Sequence, residues 1–75
     1  MKRNEVIAKM NELNINYTIK DNNIEVFYGE GCNESYEDLC YWLEDNGVER
    51  DRNWMTIDYY YLEDGVFEGT YLDWD

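Results

Sequence analysis

Carboxylates are the most abundant side chains in this chain that could take part in chemistry. The sequence holds 18 Asp and Glu residues against six Lys and Arg, and it has no His. Neighbouring acids such as Glu44 with Asp45, or Glu63 with Asp64, could supply a general acid and a general base. Such pairs need an apolar pocket that separates their pKa values, and no Gly-rich phosphate loop or nucleophile elbow accompanies them. The pattern favours a solvated surface, and we expect that the protein is not an enzyme.

Metal binding and thiol redox chemistry receive little support from residue spacing. A calcium loop that began at Asp51 would need Gly at its sixth position and Glu at its twelfth, where the chain has Thr56 and Leu62. Cys32 and Cys40 form no CxxC motif, and two Cys without His do not complete a zinc site. We therefore predict no metal site and no cofactor, while weak binding of divalent cations to acidic patches stays open as an alternative.

The closing segment, residues 55–75, combines aromatic rings with negative charge. It contains six rings and six carboxylates and no basic residue. The rings are Tyr59, Tyr60, Tyr61, Phe67, Tyr71 and Trp74, and the acids are Asp58, Glu63, Asp64, Glu68, Asp73 and Asp75. Because Tyr is enriched at binding hot spots, rings placed between acids indicate a surface for a positively charged partner.

The charge is distributed unevenly along the chain. The formal net charge is −12, with +2 in residues 1–20 (four basic, two acidic) and −14 in residues 21–75 (two basic, sixteen acidic). This field repels nucleic acid and most membranes and attracts basic surfaces. No signal peptide or membrane-spanning run is apparent, so we expect a cytoplasmic protein. Solubility or adaptation to high salt is the alternative explanation of the charge.

Two amphipathic helices are predicted within a single acidic domain of residues 1–75. The first covers Asn4 to Leu13, with Asn4 as N-cap and an apolar face of Val6, Ile7, Met10 and Leu13. The second begins at a capping box of Ser35 and Asp38 and ends at Gly47. Its apolar face holds Tyr36, Leu39, Cys40 and Leu43. Its opposite face, which we call the helix arc, holds Glu37, Asp38, Tyr41, Glu44 and Asp45.

Two hairpins complete the predicted fold. Alternating residues predict strands around Ile19 and Val26, joined by a turn at 21–23. Asp64-Gly65 predicts a type I′ turn in the second hairpin. We expect its inner side to carry Met55, Ile57, Leu72 and Trp74, and its outer side to carry Asp58, Tyr60, Tyr71 and Asp73. The predicted fold is α+β, in the order αββαββ, with two helices packed on one face of an antiparallel four-stranded sheet.

The predicted partner-binding surface joins the helix arc to the second hairpin. Its residues are Glu37, Asp38, Tyr41, Glu44, Asp45, Asp58, Tyr60, Glu63, Asp64, Glu68, Tyr71 and Asp73. With the further acid Asp75, this layout resembles that of the small acidic DNA-mimic inhibitors made by phages and mobile elements, which include anti-CRISPR proteins, anti-restriction proteins and uracil-DNA glycosylase inhibitors. The likeness lies in size, charge and charge layout over residues 21–75, and includes no aligned motif.

The resemblance implies a phage-encoded, non-enzymatic inhibitor whose carboxylates stand in for DNA phosphates. Its partner would be a basic nucleic-acid-binding defence protein in the host cytoplasm, with a CRISPR effector as the leading candidate. Direct contact with nucleic acid or with a membrane is not expected. An acidic adaptor or regulatory module with a non-mimic partner is the alternative. The outer side of the second hairpin could also support a homodimer.

Overall fold

Two helices and five strands make up the part of the chain that the computed structural model describes, residues 1–28, 33–52 and 57–71. In chain order they are α1 (Arg3–Glu12), β1 (Thr18–Lys20), β2 (Asn23–Tyr28), α2 (Asn33–Asp45), β3 (Glu49–Arg52), β4 (Ile57–Leu62) and β5 (Gly65–Tyr71). The predicted α+β class is confirmed. The predicted order αββαββ lacks β3.

The helix α1 begins before the predicted N-cap, so Asn4 lies inside it. The Glu5 carboxylate accepts a hydrogen bond from the Lys2 backbone N–H at 3.3 Å, which ties down the chain just before the first turn. The predicted apolar face is confirmed. Val6 and Met10 are fully buried, and Ile7 and Leu13 pack at the edge of the core.

The helix α2 begins at Asn33, so the predicted cap Ser35 lies inside the helix. Its end is as predicted. Gly47 has a φ of +75°, a conformation that L side chains rarely adopt. The Gly47 N–H donates to the Glu44 carbonyl at 3.0 Å, and the Val48 N–H donates to the Leu43 carbonyl at 3.1 Å. This pair of bonds is a Schellman motif, which satisfies carbonyl groups at the helix end.

The five strands form one mixed sheet in the order β1-β2-β5-β4-β3. The central pair β2 and β5 is parallel, whereas the other pairs are antiparallel. The prediction of a four-stranded antiparallel sheet is therefore wrong. The sequence of β3 is ERDR, which has no apolar alternation, and it forms a strand because β4 provides backbone partners at the sheet edge.

The turn between β4 and β5 differs from the predicted type I′ turn. Leu62 pairs with Gly65, so Glu63 and Asp64 form the two-residue loop. None of these four residues has the positive φ that a type I′ turn requires. A Cβ at Gly65 would collide with the carbonyl oxygen of Asn22 in the first hairpin. Contact between the two hairpins therefore fixes where Gly65 lies.

The predicted inner and outer sides of the second hairpin are inverted. Tyr60 and Phe67 are fully buried, and Asp58 is 5% exposed. Ile57, predicted to face the core, is only partly buried and lies on the opposite side of β4. Met55, Leu72 and Trp74 lie outside the described residues. Burial of the large Tyr60 and Phe67 rings stabilises the observed orientation.

Both helices pack against the same face of the sheet. The core residues are Val6, Met10, Ile24, Val26, Tyr36, Leu39, Leu43, Val48, Tyr60 and Phe67. Because successive strand residues point to opposite sides, the residues between the buried ones lie on the other face. We call this other face, which neither helix covers, the open face.

Candidate partner-binding surfaces

The helix arc lies at the surface as predicted. Glu37, Asp38, Tyr41, Glu44 and Asp45 are all exposed, and Tyr41 reaches 63% exposure. Of the four carboxylates in the arc, Glu44 forms an ion pair with Arg50 at 3.1 Å. The arc can therefore present the other three acids to a partner.

Two predicted binding residues are buried, and their assignment to an exposed surface is wrong. Tyr60 is fully enclosed, and Asp58 lies between α2 and the sheet. Asp58 accepts hydrogen bonds from the Arg50 guanidinium at 3.1 Å and from the Tyr36 hydroxyl at 3.2 Å. Burial lowers the pKa of Arg50, but the hydrogen bonds and charges of Asp58, Tyr60 and Glu44 together outweigh this effect and the pKa is raised. Asp58 is thus part of an internal network.

Gly69 makes room for that network. It pairs with Asp58 across β4 and β5, and a Cβ at Gly69 would collide with the hydroxyl and ring of Tyr36. The Tyr36 ring also stacks on Phe67, with 6.4 Å between the ring centroids. A glycine in the strand therefore lets a helix tyrosine reach a buried carboxylate.

Glu63 and Asp64 are exposed but interact with the start of α1. The amine of Met1 lies 2.5 Å from a Glu63 carboxylate oxygen, and this hydrogen bond lowers the pKa of Glu63. Asp64 accepts a hydrogen bond from the Arg3 backbone N–H at 2.8 Å. Acids near a helix N-terminus complement its partial positive charge. These two residues therefore help hold α1 against the hairpin turn.

The other predicted residues are divided between the open face and the part of the chain that is not described. Glu68 lies on the open face, between the buried residues Phe67 and Gly69. The backbone of Tyr71 pairs with Tyr28, but the side chain of Tyr71 and all of Asp73 lie outside the described residues. The open face and the helix arc point to opposite sides of the sheet, so the predicted single surface is two surfaces.

One line of neighbouring residues crosses the open face from β2 to β3. In register, Glu25 pairs with Glu68, Glu68 with Tyr59, and Tyr59 with Asp51. We call these four residues the acidic row. Neighbouring strands lie about 4.8 Å apart, so three carboxylates and one phenol ring follow one another across the sheet.

Aromatic residues flank the acidic row. Phe27 is 61% exposed and Tyr61 is 44% exposed, and the Tyr61 hydroxyl donates to Asp51 at 3.3 Å. Partial burial and, to a lesser extent, the negative charges of Glu68 and Asp51 raise the pKa of the Tyr59 phenol. Partial burial and the negative charge of Asp51 raise the pKa of the Tyr61 phenol. Both phenols therefore stay protonated as hydrogen-bond donors over a wider pH range.

Sequence reasoning missed most of the open face. Glu25, Phe27 and Asp51 were not predicted as binding residues, and Tyr59 and Tyr61 were placed on the side opposite Tyr60, which was expected to face the core. Alternation of Glu25 and Phe27 around the buried Val26 was an available signal, since neighbours in a strand point to opposite faces. Asp51 offered no such signal because its strand has no apolar pattern.

The ion pairs among the described residues are formed by basic side chains that lie away from the acidic row. Arg3 pairs with Asp64, Lys9 with Glu12, and Arg50 with both Glu44 and Asp58. Among the described side chains, no ion pair includes Glu25, Asp51 or Glu68. The acidic row thus presents carboxylates without an internal counterion in that part of the chain.

Cys40 is a free thiol that is partly buried on the core side of α2. Burial raises its pKa, which disfavours the reactive thiolate.

Within residues 1–28, 33–52 and 57–71, no group of three or more His, Cys, Asp or Glu is arranged to hold a metal ion. No helix in those same ranges has the length and apolar character needed to cross a membrane.

Comparison of the chain with protein-family models, with curated proteins and with solved structures finds no match. Function is therefore inferred from the two surfaces, the helix arc and the open face.

Proposed function

We propose that this protein is a non-enzymatic inhibitor that binds a basic nucleic-acid-binding protein and competes with its nucleic acid. The observation that supports the proposal is the arrangement of solvent-accessible carboxylates in the helix arc and in the acidic row, most of which form no ion pair with another described side chain. A phage-encoded inhibitor of a defence protein fits this description, with a CRISPR effector as the leading candidate partner.

The mechanism would be competition for lysine and arginine side chains. A nucleic-acid-binding groove presents these cations to phosphates, and neutralising them releases counterions. Neighbouring strands lie about 4.8 Å apart, which spaces the acids of the acidic row across the sheet, and the two acidic pairs of the helix arc, Glu37–Asp38 and Glu44–Asp45, lie about 10.5 Å apart along the helix axis. Ordered acids at these spacings can engage several cations at once. Binding is then strongly weakened by salt.

An acidic adaptor with a non-mimic partner is the second candidate function. The observation in its favour is Phe27, which is 61% exposed and has no counterpart in a phosphate backbone. Such a partner would bind through apolar contact as well as charge, and added DNA would leave it bound.

Affinity capture tests the proposal. The tagged protein should recover a DNA- or RNA-binding protein from lysate of the host bacterium, and added duplex DNA should release it. The salt dependence of binding should be steep, because several cationic groups are neutralised together. Recovery of a partner that lacks a basic groove, or one that duplex DNA does not displace, would contradict mimicry of DNA.

A further inference from the structure

The open face offers aromatic anchors within its acids, whereas the helix arc offers mainly charge. Phe27 and Tyr61 are exposed on the open face, beside the half-buried Tyr59. The helix arc presents Tyr41 among four carboxylates. Hot spots of protein interfaces combine a central aromatic group with surrounding polar residues. Of the two surfaces, the open face has the composition of an interface centre.

The acidic row places like charges side by side. Glu25 and Glu68 are direct neighbours on the parallel strands β2 and β5, and like charges in neighbouring strands destabilise a sheet. Asp51 lies beyond Tyr59 in the same line. A cation placed over the row would relieve this repulsion. The open face is therefore complementary to a positively charged surface.

We propose that the open face docks an arginine-bearing surface of the partner protein, with guanidinium groups packed over Tyr59 and Tyr61 and hydrogen-bonded to Glu68 and Asp51. The proposal rests on the proposed function, whose partner is basic. Arginine fits better than lysine because its planar guanidinium stacks on aromatic rings and binds carboxylates with two parallel hydrogen bonds.

Two other occupants fit the open face poorly. Nucleic acid carries phosphates, which the acidic row would repel. A second copy of this chain would bring Glu25, Glu68 and Asp51 against the same acids of the other copy in a two-fold contact. Among the described residues, Lys20 is the only basic residue on the open face, and it lies on the edge strand β1.

Two matched triple variants test which surface carries the site. E25Q/D51N/E68Q removes three charges from the open face, and E37Q/D38N/D45N removes three charges from the helix arc. None of the six residues forms an ion pair with another described side chain, so both variants should keep the fold, which circular dichroism checks. Titration with a hexa-arginine peptide and with a hexa-lysine peptide, followed by NMR and calorimetry, measures binding.

The open-face variant should bind hexa-arginine about tenfold more weakly or worse, since several charge-assisted contacts are lost. The helix-arc variant should lose about threefold or less through long-range attraction alone. The intact protein should prefer hexa-arginine to hexa-lysine. Tyr61→Leu should reduce that preference while leaving hexa-lysine binding nearly unchanged, because it removes a stacking ring and no charge.

The outcomes separate the inference from the proposed function. If the helix-arc variant loses binding and the open-face variant does not, the inference is overturned while competition with nucleic acid stands. Equal binding of the two peptides, or a dimer through the open face in analytical ultracentrifugation, would also overturn it. A captured partner without a basic groove would overturn the proposed function itself.

Discussion

The face of the sheet on which both helices pack, which we call the covered face, differs from the open face in how its carboxylates are paired. On the covered face, Asp58 is 5% exposed and accepts hydrogen bonds from Arg50 and Tyr36. On the open face, Glu25 and Glu68 are neighbours, and no ion pair among the described side chains includes either of them. A buried charge is tolerated when it is paired, whereas an exposed one is free to meet a partner. One face of these strands therefore uses its carboxylate for stability, whereas the other is the face that we propose for recognition.

Replacing Asp58 with alanine should give the largest loss of stability. Breaking a buried ion pair leaves an uncompensated charge, and we expect a loss of about 3 kcal/mol in the free energy of unfolding. The loss falls at the low end of the usual range because the Arg50 side chain is 33% exposed. Asp51→Ala, on the open face, is the matched control and should change stability by about 0.5 kcal/mol or less. Urea denaturation measures both, and similar losses would remove the contrast between the faces.

Gly69→Ala should destabilise the covered face by about 2 to 3 kcal/mol, because the added methyl group overpacks the site against Tyr36. The hydroxyl and ring of Tyr36 occupy the place that this methyl group would take. In a Tyr36→Leu background the collision is relieved, so the added cost should fall below about 1 kcal/mol. Thermal or urea unfolding of the intact protein, the two single variants and the double variant completes the double-mutant cycle. Additive losses would show that Tyr36 does not set the need for glycine.

Tyr36→Phe and Tyr60→Phe should differ although both remove one buried hydroxyl. The Tyr36 hydroxyl donates to Asp58, and its removal should cost about 1 to 2 kcal/mol. The Tyr60 hydroxyl is enclosed and makes no hydrogen bond of normal geometry to a described residue, so Tyr60→Phe should leave stability at neutral pH nearly unchanged or slightly raised. Chemical denaturation compares the two, and an equal cost would contradict the distinction.

Alkaline pH should weaken the fold through two core groups, the Tyr60 phenol and the Cys40 thiol. Burial raises the pKa of Tyr60 and of Cys40 in the folded state. The unfolded chain then loses these protons first, above ordinary pKa values of 9.0 for Cys and 10.0 for Tyr, so stability falls as pH rises through that range. Tyr60→Phe with Cys40→Ala should flatten the decline relative to Cys40→Ala alone. An unchanged slope would show that Tyr60 does not contribute.

Neutralising one acid of the open face should have the smallest effect on the free energy of unfolding, and this effect should be stabilising. Glu68→Gln removes the repulsion with Glu25, and we expect a gain of about 0.5 kcal/mol. Because the charges are partly exposed, added salt should reduce this gain. Glu37→Gln on the helix arc serves as the control. A loss of stability in Glu68→Gln would indicate that the carboxylate has a structural role on the sheet.

Local periodicity accounts for the parts of the fold that could be predicted. The apolar faces of α1 and α2 were predicted because residues three and four apart lie on one side of a helix, and Gly47 was predicted as the helix end because it accepts positive φ. The exposure of the helix arc followed from the same spacing. For the candidate site, the sequence therefore indicated one of the two acidic surfaces and part of the other.

Contacts between distant segments account for the parts that were missed. The strand β3 depends on pairing with β4, and the parallel pairing of β2 with β5 joins residues about forty positions apart. The β4–β5 hairpin has residues suited to burial on both of its sides, so its own pattern does not decide which side is buried. The asymmetry arises at Gly69, where the ring of Tyr36 fits against the strand.

The amino-acid sequence by itself determined the two helices, their apolar faces and the strongly negative surface, because these depend on spacing within a few residues and on charge alone. Only the tertiary structure decided that Tyr60 and Asp58 lie inside and that Tyr59, Tyr61 and Glu68 lie on the open face. The physical reason is that burial of a strand face is set by what packs on it. Here α2 supplies Tyr36 to one face, and neither helix packs on the other face, where Glu68 is half-buried and Asp51 is exposed.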